Sequence, residues 1–158
     1  TDTEVIVNLI SYNYNLSNIH ASIGYAQSII MNKKLKFKQN LHKKYLKFFQ
    51  KSKIFEIVPT PGYSSNNCWL NVLKIKKNSI TADDLIHFFL KQKIEVRKVW
   101  KPCHHQPFMK KFFKYEIHNT DKLYEKYICL PSGFNITASS YQKITKAFIQ
   151  YESMFDHQ

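Results

Sequence analysis

Apolar residues recur along this chain with two different periods, and the alternation between them predicts its elements. The run Val5–Ile10 is continuously apolar apart from Asn8 and reads as a core strand. Ile19, Ile23, Ala26 and Ile30 then fall at helical spacing behind Ser17 or Asn18, either of which suits an N-cap. A second helical stretch carries Leu35, Leu41, Tyr45, Phe48 and Phe49 among six lysines. Together the two stretches exceed the usual helix length, so two helices or one bent helix is expected, with Asn32 as the break. Pro59, Pro61, Gly62 and the Ser64–Asn67 cluster interrupt the pattern. Cys68–Ile75 reads as a largely buried strand. Thr81 and Asp84 have capping-box spacing in front of Leu85, Phe88, Phe89 and Leu90. Ile94–Val99 reads as a short strand, and Trp100–Pro107 as a polar loop bounded by prolines. Asn119 or Thr120 can cap a short helix through Tyr127, and Ile128–Pro131 reads as a brief extended piece. From Thr137 a last helix carries Ile144, Phe148, Tyr151 and Phe155 on one stripe.

This order predicts an α+β fold, with helices packed on a small, mainly antiparallel sheet. Two segments follow from it: 1–52, with the polar entrance and the long helical stretch, and 53–158, a small α+β unit. The chain has 158 residues, enough for one domain with a real core. It begins with Thr1 rather than Met, close to an apolar run, which leads us to expect a piece of something longer.

Composition changes the picture little. The 44% apolar content fits a globular chain, and no apolar run approaches a membrane span. Cys68, Cys103 and Cys129 are odd in number and lack metal-ligand spacing, so reduced thiols in a cytoplasmic protein are expected. The net charge of +13 comes almost wholly from lysine, since Arg97 is the single arginine. Nucleic-acid binders usually mix in arginine for phosphate and guanine contacts, so solvated lysine faces are the preferred reading over a nucleic-acid footprint.

Candidate chemistry gathers at a few positions. Tyr12–Asn13–Tyr14–Asn15 is either a polar turn or, with the following helix N-terminus, a set of neutral donors for an anion such as phosphate. Arg97 is either a surface cation or a bidentate partner for a carboxylate or phosphate. Cys103–His104–His105 invites a metal reading. However, adjacent residues of an extended loop point in opposite directions and no second ligand pair stands nearby, so no metal site is expected. A loop that concentrates Trp, Lys, His and Gln between prolines suits the wall of a ligand pocket.

These residues, taken together, resemble one family. Tyr12–Asn13–Tyr14, Ser17–Asn18, Ala21, Gly24 and Gln27 are similar to the Y-N-Y-R-x-S-N-x-x-A-A-x-G-x-x-Q signature of the DegT-type nucleotide-sugar aminotransferases. Arg97–Lys98–Val99–Trp100–Lys101–Pro102, with His104, Gln106 and Pro107, resembles the R-x-x-W-K-P-M-H-x-Q-P segment of the perosamine and legionaminic-type branch. Leu130–Pro131–Ser132–Gly133 before a helix looks like the family's C-terminal ending.

The resemblance implies the C-terminal subdomain of a fold type I aminotransferase, dependent on pyridoxal 5'-phosphate. The complete enzyme would transfer an amino group, typically from glutamate, to a 4-keto nucleotide sugar for surface-polysaccharide synthesis. It also implies that Asn13 reaches the cofactor phosphate in a partner subunit. Arg97, Trp100, Lys101 and His104 would wall the nucleotide-sugar pocket, and Ala21–Ala26 would pack at a dimer contact. Asn15 stands where the family commonly has an arginine for the nucleotide diphosphate, and Cys103 replaces a methionine. The family's Schiff-base lysine precedes the Y-N-Y motif by several tens of residues, and Tyr12 has only eleven residues before it. No lysine here takes that role, no catalytic residue is assigned, and the chain alone is expected to be inactive. It would be an excised piece, one half of a split gene or the product of a truncated gene, acting as a homodimer or with a chain that supplies the large domain. The alternative is a non-catalytic basic binding module that keeps the subdomain fold.

Overall fold

The computed structural model describes residues 16–155, arranged as two units, 1–33 and 34–158. The strand expected over Val5–Ile10, the Tyr12–Asn15 motif and Asn13 lie outside the described residues.

Within the first unit, helix α1 covers Asn18–Ile29. Ser17 caps it, its Oγ accepting from the His20 backbone N–H, and a break at Ile30 separates it from α2 (Met31–Phe49). Two helices are therefore present, with the break at Ile30 and not at Asn32, which lies inside α2 because Ile30 already ends α1. No residue of α1 is buried: Ile19 is 73% exposed and Ile23 56%.

In the second unit, strands β1 (Phe55–Ile57), β2 (Asn71–Ile75), β3 (Arg97–Lys98) and β4 (Tyr127–Leu130) form a sheet in the order β1-β2-β4-β3, antiparallel at every pairing. The register sets Phe55 opposite Ile75, Ile57 opposite Leu73, Leu73 opposite Ile128 and Asn71 opposite Leu130. Alternation puts all of these on one face, and that face is the core. Helices α2, α3 (Ala82–Lys91) and α5 (Ala138–Ser153) cover it with Tyr45, Phe49, Leu85, Phe89, Ile144 and Phe148. Phe148 is fully buried, with ring centroids 4.8 Å from Phe49, 5.2 Å from Phe55 and 4.5 Å from Phe89. The expected α+β architecture is thus present.

Four details depart from the pattern-based expectation, the first being that the helix over His118–Lys126 follows Ile117 with no side-chain cap, so Asn119 and Thr120 lie inside it and do not cap it. Phe55–Ile57 is a strand too short for periodicity to reveal; Ser52 prepares it, donating to the Glu152 carboxylate and accepting from the Phe55 N–H. The strand expected from Cys68 begins only at Asn71, because Asn66 and Asn67 accept from the Cys68 and Trp69 N–H groups and hold them in turns. The strand expected over Ile94–Val99 pairs only through Arg97–Lys98. Its start is taken up by a Schellman ending of α3, with Lys93 at φ 55°, Lys93 N–H donating to Leu90 O and Ile94 N–H to Phe89 O. The capping box of α3 forms as expected: Thr81 Oγ1 accepts from Asp84 N–H, and Asp84 Oδ2 accepts from Thr81 N–H at 2.8 Å. Cys68, Cys103 and Cys129 are free, and among the described residues no helix is long and apolar enough to cross a membrane.

Candidate functional site

The sequence-nominated residues that lie in the described part do not converge on one point. They occupy three clusters, each built by different elements.

The first surrounds Arg97. A pocket of ≈ 420 Å³ is lined by Arg97 and Glu95 on one side and by Pro131, Ser132, Gly133 and Asn135 on the other. The Leu130–Gly133 motif owes its path to a set of hydrogen bonds from α2 and β2. Tyr45 OH donates to Pro131 O at 3.0 Å, and Lys38 Nζ donates to Ser132 O at 2.9 Å and to Trp69 O at 3.2 Å. Fully buried Asn71 donates through its N–H and Nδ2 to Ser132 Oγ, which itself donates to Leu130 O. With Nδ2 so committed, Asn71 Oδ1 faces His42 Nδ1 at 2.9 Å, and that ring nitrogen must carry the proton. His42 Nε2 is buried and has no hydrogen-bond partner. Burial also pushes the Tyr45 phenol far above the ordinary tyrosine range. The motif is therefore a rigid pocket rim. Arg97 itself is exposed and forks onto Glu95 Oε1, through Nε at 2.8 Å and NH2 at 2.5 Å. Such exposed pairs contribute about 0–1 kcal/mol, so a stronger anion can take the guanidinium from Glu95.

The second cluster is a pair of indoles. Trp100 and Trp69 are 68% and 61% exposed, with ring centroids 5.8 Å apart. The periodicity pointed Trp69 into a strand; the Asn67 turn turns it out beside Trp100 instead. Lys101 follows Trp100 and is exposed.

The third cluster is the proline-bounded loop. Cys103–His105 and Pro107–Met109 form two successive 3-10 turns rather than an extended path. Both imidazoles turn to Asp121 in the first turn of α4 (His118–Lys126). His104 Nε2 is 2.6 Å and His105 Nε2 2.8 Å from the same Asp121 Oδ1. The bond from His104, helped by both imidazole charges, holds the Asp121 carboxyl below its usual range. Strand alternation sends Lys98 away from Arg97, onto Asp83 at 2.7 Å and over the Tyr124 ring at 4.3 Å, and Tyr124 packs on His105 at 5.7 Å. Asp121 and Tyr124 carry no signal in the sequence, since only the fold brings α4 to this loop.

Pyridoxal phosphate demands a lysine amine free to attack a carbonyl. Among the described residues, three partly buried lysines have their ammonium groups committed. Lys38 serves two carbonyls, Lys98 serves Asp83, and Lys126 donates to the Lys77, Asn78 and Ile80 carbonyls. These three ammonium groups are therefore not free to attack a carbonyl.

Comparison with known proteins matches residues 1–149 to the DegT/DnrJ/EryC1/StrS aminotransferase family. EpsN of Bacillus subtilis (strain 168), whose name describes a pyridoxal phosphate-dependent aminotransferase, is 27% identical over 144 residues, 89% of this chain and 37% of EpsN. Among solved structures, Helicobacter pylori PseC, an aminotransferase involved in the biosynthesis of pseudoaminic acid, superposes with a TM-score of 0.82 at 19% identity, covering 93% of this chain and 40% of PseC. DesI, solved in the presence of its TDP-sugar product, gives 0.75 at 14% identity, covering 82% of this chain and 34% of DesI. The chain thus spans well under half the length of these relatives, and its fold is that of part of an aminotransferase.

Proposed function

The chain belongs to the DegT/DnrJ/EryC1/StrS aminotransferase family, and from that premise we propose that it forms the C-terminal part of a cytoplasmic enzyme that aminates a 4-keto nucleotide sugar. The amino donor is typically glutamate, and the resemblance of the motif around Trp100 supports a reading within the perosamine and legionaminic-type branch. The complete enzyme uses pyridoxal 5'-phosphate, which supplies the electron sink for moving the amino group. The observation that carries this reading is a single family match running through both the Asn13 and the Trp100 motifs.

The residues then divide the work. Asn13 offers its amide to the cofactor phosphate across a subunit boundary. Arg97, held on a displaceable Glu95, meets the anionic part of the nucleotide sugar. Trp100 and Lys101 wall the sugar-nucleotide pocket, and His104 keeps the loop in shape through Asp121. The exposed apolar face of α1, with Ala21–Ala26, meets a second copy or a chain that supplies the large domain.

Two measurements test this. Mixing the chain with pyridoxal phosphate should yield no stoichiometric aldimine absorption that borohydride fixes to one lysine; such a band would sink the claim that the reactive lysine lies elsewhere. Titration with a nucleoside diphosphate sugar should shift the Trp100 indole resonance, and R97A should weaken that titration several-fold. An R97A protein that titrates like the parent removes Arg97 from the pocket.

A further inference from the structure

The three-residue cluster of His104, His105 and Asp121 has the chemistry of a metal site. In an extended loop adjacent histidines diverge, but a 3-10 turn has three residues per turn and sets neighbours about 120° apart. Here Pro102 precedes that turn and Pro107 follows it, and the two rings lie 4.4 Å apart, centroid to centroid. One ligand atom from each of His104, His105 and Asp121 falls within 4.8 Å of the others. Both imidazoles spend their Nε2 atoms on the same carboxylate oxygen, at 2.6 and 2.8 Å. Ring packing holds His105 in place, against His104 on one side and Tyr124 on the other.

We infer that His104, His105 and Asp121 bind one divalent transition-metal ion of the zinc class, which ties the Pro102–Pro107 turn to α4. The ligand set of two imidazoles and one carboxylate selects zinc, cobalt or nickel over magnesium or calcium, which prefer all-oxygen shells. With metal–ligand bonds of about 2.0–2.2 Å, a tetrahedral shell separates its ligand atoms by roughly 3.3 Å. The two imidazole–carboxylate separations, 2.6 and 2.8 Å, are shorter than that, so Asp121 has to withdraw to admit an ion. Its side chain is 44% exposed and starts a helix, so that movement is open to it. The His104 and His105 side chains are 14% and 34% exposed, which leaves water to complete the shell. The Lys98 ammonium over the Tyr124 ring faces Asp83 at 2.7 Å and so does not oppose a cation with an uncompensated charge.

The test is independent of any nucleotide-sugar chemistry. The untagged chain, stripped with EDTA, is titrated with Co(II) at pH 7.5 and followed by visible absorption. The expected result is a band that saturates at one equivalent and is displaced by Zn(II). H105Q and D121N should each weaken binding at least tenfold, and H118Q, on the same helix, should leave it unchanged. Ring nitrogen spectra of the parent protein give a second readout that does not depend on a variant folding. Zn(II) should remove the Nε2 protons of two imidazoles and move both nitrogens to metal-bound shifts. Unchanged affinity in H105Q and D121N would overturn the assignment, as would Nε2–H signals that persist under excess Zn(II). The second outcome would mean that protons alone hold the cluster.

Discussion

Helix α1 sets Ile19 and Ile23 one turn apart behind a Ser17 cap, and both remain more than half exposed. Helix α5 sets Ile144, Phe148 and Tyr151 behind a Thr137 cap at the same kind of spacing and buries all three. The caps are equivalent, each a hydroxyl accepting from a backbone N–H three residues on. What separates the helices is a partner surface. α5 lies over the sheet face that carries Phe55 and Ile128, and Phe148 meets three other rings. A helix of twelve residues gains little from its own hydrogen bonds. The contrast teaches that periodicity makes a helix amphipathic, whereas only packing makes its apolar side a core.

Substitutions in the two helices should therefore behave differently. F148A removes the hub of the aromatic cluster and should cost about 3–5 kcal/mol in urea unfolding, whereas I23A should change stability by less than about 0.5 kcal/mol. Comparable losses from both would mean that α1 is as well packed as α5. Next in size, N71A should cost about 1–3 kcal/mol, since it leaves His42 Nδ1 unpaired and Ser132 Oγ without its donor side chain. N71A should also loosen the Ser132–Gly133 rim, read as faster amide exchange there. A smaller effect depends on pH. Burial raises the folded-state pKa of Tyr45 above its unfolded value, so its contribution is complete below about pH 10 and is lost as pH rises past it. Y45F should flatten the alkaline fall in the urea midpoint. T81A should cost about 1 kcal/mol by removing one half of the α3 capping box. The depressed Asp84 pKa adds that this box is intact above the usual carboxylate range and is lost as pH falls through the folded value. Last, I23D should leave the unfolding midpoint nearly unchanged while lowering the sedimenting mass of any self-association, because it charges the exposed face of α1.

Much of the fold was legible because local rules agreed with tertiary ones. Thr81 with Asp84 announced α3, and the stripe Ile144, Phe148, Tyr151 announced α5 with its buried face. Asn66 and Asn67 were readable as turn residues, yet their side chains also delayed β2 to Asn71 and turned Trp69 outward, which apolar alternation concealed. The site was less legible than the fold. Arg97, Trp100, Lys101 and His104 stood out by residue type, but their neighbours Glu95, Trp69 and Asp121 did not. Asp121 reads as an ordinary first-turn acid of a short helix, and nothing local ties it to a loop 17 residues earlier.

By itself, then, the sequence determined the helices, the caps of α1, α3 and α5, the α+β class and the family to which the motifs belong, because capping and periodicity act over a few residues. Tertiary structure alone decided which apolar faces became core. It decided that Asn71 would serve the Ser132 rim, and that two adjacent histidines would turn to one carboxylate. Those outcomes depend on strand register and on the docking of helices distant in sequence, where one partner's chemistry acquires meaning only beside the other.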